Sequence, residues 1–130
     1  MEILQPPGWA RPRGYANGVA AKGKTIYVSG MIGWDEHGVF RTADFVGQVR
    51  QALANVVAVL AEAGARPEHI VRMTWYVVDK REYVAAYSQI GVAYREVIGH
   101  HYPAMTAVEV AALIEDAAKV EIEVTAVLPE

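Results

Sequence analysis

The sequence predicts an α+β fold in which two amphipathic helices pack on one face of a mixed β-sheet, in the order ββαβαββ. Three observations predict it. Two windows carry apolar residues at steps of three and four, the period of a helix packed on one side. Other short runs are rich in β-branched and aromatic residues, and the last two alternate with the period of two that marks a half-buried strand. The chain of 130 residues has no linker, low-complexity tract or internal repeat, so one domain spanning 1–130 is expected.

Residues 1–14, with Pro6, Pro7, Gly8, Pro12 and Gly14, read as an irregular lead-in. Runs 18–21 and 25–29 are β-prone and flank Lys22-Gly23-Lys24, a hairpin-like signal, and 33–38 is a turn-rich loop. Asp44 is placed to cap the clearest helix, in which Phe45, Val49, Ala52, Leu53, Val56, Val57 and Leu60 form the apolar face. Gln48, Arg50, Gln51 and Glu62 mark its wet side, and Gly64 is placed to end it. After Pro67 the run 69–78 predicts a strand. Asp79 opens a second helix, with Tyr83, Tyr87, Ile90, Tyr94 and Val97 on one side and Gly99 closing it. Strands are expected at 105–113 and 119–128. Alternation puts Val120, Ile122 and Val124 toward the helices, and Glu109, Glu121 and Glu123 on the opposite face.

Composition closes several functional classes. The chain is 53% hydrophobic and 21% charged, which excludes disorder and predicts a packed core. A net charge of -3 offers no footprint for phosphate backbones, so no nucleic-acid partner is expected. There is no cysteine, which excludes disulfides, thiolate nucleophiles and Cys-based metal sites. Residues 1–9 lack the pattern of a signal peptide and no stretch approaches the ~20 apolar residues of a membrane span, so a cytoplasmic protein without membrane contact is expected. His37, His69, His100 and His101 include no pair at zinc-site spacing on a helix, and no Gly-rich phosphate loop occurs, so neither metal nor cofactor is expected. The apolar surplus of so short a chain points to surface buried against other chains.

Several segments, in order, resemble one family. Gly14-Tyr15-Ala16 resembles its Pro-Tyr-Ser, and Tyr27-Val28-Ser29-Gly30-Met31-Ile32 resembles its Val-Ser-Gly-Gln-Ile segment. Gln48-Val49-Arg50-Gln51-Ala52-Leu53-Ala54-Asn55 and Ala61-Glu62-Ala63-Gly64-Ala65 fit its first helix. Pro103-Ala104-Met105-Thr106-Ala107-Val108-Glu109-Val110 and Val120-Glu121-Ile122-Glu123 fit its last two strands. Over nearly its whole length the chain thus resembles the Rid (YjgF) family of enamine/imine deaminases. The resemblance implies a chorismate-mutase-like homotrimer with small-molecule pockets between subunits. It also implies hydrolysis of reactive enamines or imines to ketones and ammonia. Glu121 matches the glutamate that holds the attacking water. Tyr15, Ser29 and Gly30 match pocket-lining positions, and Tyr87 falls near another; the family topology also sets Arg72 on a strand between Glu109, Glu121 and Glu123, as a partner for these carboxylates. Met105, followed by Thr106, stands where the family carries an arginine that clamps the substrate carboxylate.

A thioether offers neither charge nor donor to a carboxylate, whereas a guanidinium offers both. Simple 2-imino acids are therefore expected to be poor substrates, and Arg13 or Arg72 is a candidate replacement cation. Met31 and Trp34 also depart from the family pattern, and Trp34 is a candidate flat apolar wall of the pocket. The leading expectation is a deaminase of a small conjugated or aromatic-derived metabolite, with Glu121 catalytic and Tyr15, Ser29, Gly30, Trp34, Tyr87, Met105 and Thr106 binding substrate. Each has a plainer reading: Glu121 as a carboxylate on a polar strand face, Ser29-Gly30 as a strand irregularity, the tyrosines as core. The alternative function is a non-catalytic trimer that binds or senses a small ligand. Ribonuclease activity, attributed to relatives, is disfavoured by the acidic balance.

Overall fold

Helix α1 (Phe45–Glu62) forms where the apolar period predicts it. In a computed structural model describing residues 1–130, Asp44 accepts a hydrogen bond from the Gly47 N–H at 2.8 Å, satisfying one of the helix's free donors. One face, from Val49, Ala52, Leu53, Val56 and Leu60, is fully buried. It lies on a four-stranded sheet made of β3 (Lys24–Ile32), β4 (Ile70–Val77), β5 (Ala104–Glu109) and β6 (Val120–Leu128). The strands run β3-β6-β4-β5 across the sheet; β4 and β5 are parallel and the other neighbours antiparallel. Ile70, Met73, Trp75 and Val77 of β4 and Val120, Ile122, Val124 and Ala126 of β6 complete the core, as the period of two requires. No helix is long and apolar enough to cross a membrane.

The structure departs from the sequence reading in several places. Residues 22–24 do not join a hairpin. Strand β2 (Gly18–Ala20) pairs instead with β1 (Glu2–Leu4), a strand inside the expected lead-in, and β3 pairs with β6. Gly23 passes so close to the end of β6 that any side chain there would strike the Leu128 carbonyl, which carries the chain past β6 and away from β2. The helix after Asp79 is two helices, α2 (Lys80–Ala85) and α3 (Tyr87–Val97), divided at Ala86. Asp79 caps as expected, accepting from the Arg81 and Glu82 N–H groups. Neither Pro nor Gly marks the break; Tyr83 packs edge-on between Phe45 and Tyr87, so tertiary contacts set the bend.

Strand β5 ends at Glu109 instead of residue 113, because β4 ends at Val77 and leaves the later residues without a partner strand. Ile114 beyond it is 96% exposed. Gln48 is fully buried, against the expectation of a wet position. Its amide donates to the Thr42 and Ala117 carbonyls at 3.2 and 2.9 Å, and its oxygen accepts from the Lys119 N–H at 2.8 Å. These bonds satisfy a buried amide and fix the entry into β6, the strand that carries Glu121.

Candidate functional site

A cavity of about 890 Å³ opens between α3, the start of β5 and the N-terminal segment. The local fold brings its parts together. Ala16 donates to the Pro103 carbonyl at 2.9 Å and bridges to Ala104, which draws Arg13, Gly14 and Tyr15 alongside Met105. Tyr94 stacks on Tyr102, with centroids 5.4 Å apart, and donates its hydroxyl to the His101 carbonyl at 2.5 Å. His101 in turn donates Nε2 to the Ile70 carbonyl at 2.7 Å, so its ring is a structural tie. Met105 and Ala107 face the cavity from β5 because they share the face of their partners Met73 and Trp75. Tyr15, Tyr87 and Met105 therefore meet in one cavity, as expected together. Tyr83 is driven up in pKa by burial and then by Tyr87, so its hydroxyl stays protonated through the physiological range.

Ser29, Gly30 and Glu121 form a second group, away from this cavity. The β3–β6 register slips between Val28 and Met31, leaving a bulge at Ser29 and Gly30. A Cβ at position 30 would lie 2.6 Å from Glu121 Oε2, so the absence of a side chain is what lets the carboxylate lie against the bulge. Glu121 is half-buried on the sheet face opposite the helices, in register with Tyr76. Thr106, in register with Thr74, is exposed on that face. Trp34 does not line the cavity; its ring packs on Phe40 at 5.9 Å, and its carbonyl accepts from Asn55 at 2.8 Å. The loop carrying it is pinned by Asp35, which accepts from Arg41 Nε at 2.6 Å and from the Val39 and His37 N–H groups. The Arg41 hydrogen bond, with help from those backbone donors, holds the Asp35 carboxyl at about 2.

Two expectations about the carboxylates are corrected. Glu109 does not share a face with Glu121 and Glu123: it sits in register with buried Val77 and accepts from the Lys80 N–H at 2.8 Å. The residue count along β5 is right, but its parallel pairing sets which face each position joins. Glu123 is partnered by Tyr76, whose hydroxyl donates at 2.7 Å, and Arg72 makes no ion pair with these acids. That hydrogen bond to Glu123, then burial and the two nearby carboxylates, raises the Tyr76 phenol, which stays a donor. Sequence reasoning missed Arg95, Gly91 and Trp75 as cavity residues. A signal for the first two was present: Tyr87, Gly91 and Arg95 recur every four residues along one side of α3.

The α+β chain thus carries an aromatic cavity on one side and a carboxylate at a strand bulge on the other, the parts of a small-molecule site, and comparison with known proteins identifies the family. A family model described as Endoribonuclease L-PSP matches residues 10–128. The chain is 33% identical over 135 residues to the RutC family protein slr0709 of Synechocystis, covering 99% of this chain and 98% of that one. It is 32% identical over 105 residues to a 2-iminobutanoate/2-iminopropanoate deaminase of Capra hircus, covering 80% of this chain and 73% of the relative. Among solved structures, YyfB of the conserved Rid protein family from Yersinia pestis superposes with a TM-score of 0.84 at 32% identity, covering 98% of each chain. Escherichia coli TdcF with bound serine gives a TM-score of 0.69 at 30% identity, again covering 98% of each chain. The chain belongs to the Rid (YjgF) family.

Proposed function

We propose that this chain is a cytoplasmic hydrolase that deaminates a small enamine or imine carrying a carboxylate, and that it works as a homotrimer. The observation that carries the reading is the Glu121 carboxylate seated against the Ser29–Gly30 bulge, with room that only glycine leaves. An enamine first takes a proton from solvent at carbon and becomes the iminium R–C(=NH2+)–COO−. Glu121 takes a proton from water as the water oxygen bonds to the imine carbon. It then delivers that proton to nitrogen, and ammonia leaves as the hydroxyl gives its own proton back to Glu121 and the carbonyl forms. Substrate, water and one carboxylate balance the reaction.

In one chain the two groups of candidate residues lie apart, Glu121 on the outer sheet face and the cavity beside edge strand β5. A ring of copies, each presenting its β3 side to the β5 edge of the next, joins them into one site. The relative named as a 2-iminobutanoate/2-iminopropanoate deaminase supports the reaction class. The same reading gives Tyr15, Tyr87, Met105 and Thr106 to substrate binding.

The test is ammonia release from freshly generated 2-iminopropanoate and from 2-aminomuconate-like enamines. Acceleration over the spontaneous rate for a conjugated substrate, exceeding that for 2-iminopropanoate, is the expected result. Met105 on the cavity wall favours a second reading, a trimer that binds a ligand without turnover, because a thioether anchors no carboxylate. Saturable binding without acceleration of any imine selects that reading and overturns the first.

A further inference from the structure

The cavity wall carries two guanidiniums and no carboxylate. Arg41, Arg50 and Arg66 each hold an acidic partner at 2.6–2.7 Å. Arg13 and Arg95, by contrast, make neither an ion pair nor a side-chain hydrogen bond within the chain. Glu96, the acid next to Arg95 in sequence, is engaged by Arg50. Around these cations the wall is aromatic, built from Tyr15, Tyr87, Tyr102 and Trp75, and the volume is at the upper end of that expected for drug-sized ligands. Gly91 adds a positional device. Arg95 Nη1 lies only 3.2 Å from where a Cβ at position 91 would stand, so a poor helix former in mid-helix leaves the space that the guanidinium occupies.

We propose that Arg95, assisted by Arg13, binds the carboxylate of an aryl-bearing anion in this cavity, making 2-imino-3-arylpropanoates the preferred substrate class. The proposal rests on the deaminase reading for its reaction and on the cavity alone for its ligand. The guanidinium forks take the carboxylate, and the aryl ring stacks against the tyrosines. Turnover is then aryl–CH2–C(=NH2+)–COO− plus water giving the arylpyruvate and ammonium. Arg95 thereby supplies from helix α3 the charge that Met105 does not supply from β5.

The test is calorimetric titration of the full-length protein with phenylpyruvate and with pyruvate, stable anions that need no turnover. Phenylpyruvate is expected to bind at least 10-fold more tightly than pyruvate. Arg95→Gln is expected to weaken phenylpyruvate roughly 10- to 100-fold, with partial recovery in Arg95→Lys. Gly91→Ala keeps the charge, retains or raises Tm, and is expected to shift the guanidinium by a few tenths of an ångström and to change phenylpyruvate affinity far less than Arg95→Gln does. Equal affinity for the two anions, or phenylpyruvate binding indifferent to Arg95→Gln in a folded variant, overturns the proposal. Ammonia release from imines combined with that indifference overturns it while leaving the deaminase reading intact. Arg95-dependent phenylpyruvate binding without ammonia release from any imine supports the assigned site and overturns the deaminase reading.

Discussion

Glu121→Gln is expected to lower the rate of imine hydrolysis roughly 100- to 10,000-fold, the range in which a positioned general base contributes. The amide preserves shape and can still touch water, but it cannot take the proton that must leave as the water oxygen attacks. Glu121 lies on the sheet face opposite the core, so the substitution leaves Val120, Ile122 and Val124 in place and the fold intact. The loss should therefore fall on kcat with KM little changed. Ammonia-release kinetics alongside circular dichroism measure this directly. A folded Glu121→Gln protein that keeps the parent rate removes Glu121 from the chemistry and leaves its role as a polar strand residue.

Met105→Arg is expected to act in the opposite sense for small substrates. A charge-assisted pair with a desolvated carboxylate contributes about 2–5 kcal/mol, so kcat/KM for 2-iminopropanoate should rise about 30-fold or more. The side chain has somewhere to go: Met105 is half-buried, with its partner Met73 behind it and the cavity in front. A guanidinium there shares the cavity with Arg13 and Arg95, so the gain should be largest for anions small enough to reach it and should fall as salt rises. Rapid turnover of 2-iminopropanoate by the parent protein, abolished in Met105→Ala, contradicts this account of the missing clamp.

What the sequence made legible was local. Asp44 and Asp79 announce helix starts because their side chains bond N–H groups two or three residues on, within the window that a pattern reading sees. The alternation through residues 120–126 is a property of one strand, and it places Glu121 and Glu123 opposite the core correctly. Non-local partners were not legible. Gln48 looks like a solvated helix residue until it is known that Ala117 and Lys119, about seventy residues away, supply its hydrogen bonds. Glu109 was misplaced for the same reason, since its face follows from pairing with Val77 across a crossover. The same holds at the site. Resemblance supplied Tyr15, Tyr87 and Met105, which one cavity collects. Arg95 carries no motif, and only the cavity that α3 and β5 line together shows that it faces the same space.

The central claim is that Glu121 of one copy and the cavity of another make one active site, and subunit mixing tests it most directly. Glu121→Gln disables the carboxylate half, and Met105→Glu disables the cavity half by repelling the substrate carboxylate. Each variant alone is expected to be inactive. Co-refolded in equal amounts into random trimers, they regenerate sites with one intact half from each parent, and about one quarter of the parental activity should return if neighbouring copies share each site. Activity no higher than that of either variant alone, from mixed trimers verified by mass, contradicts the shared site.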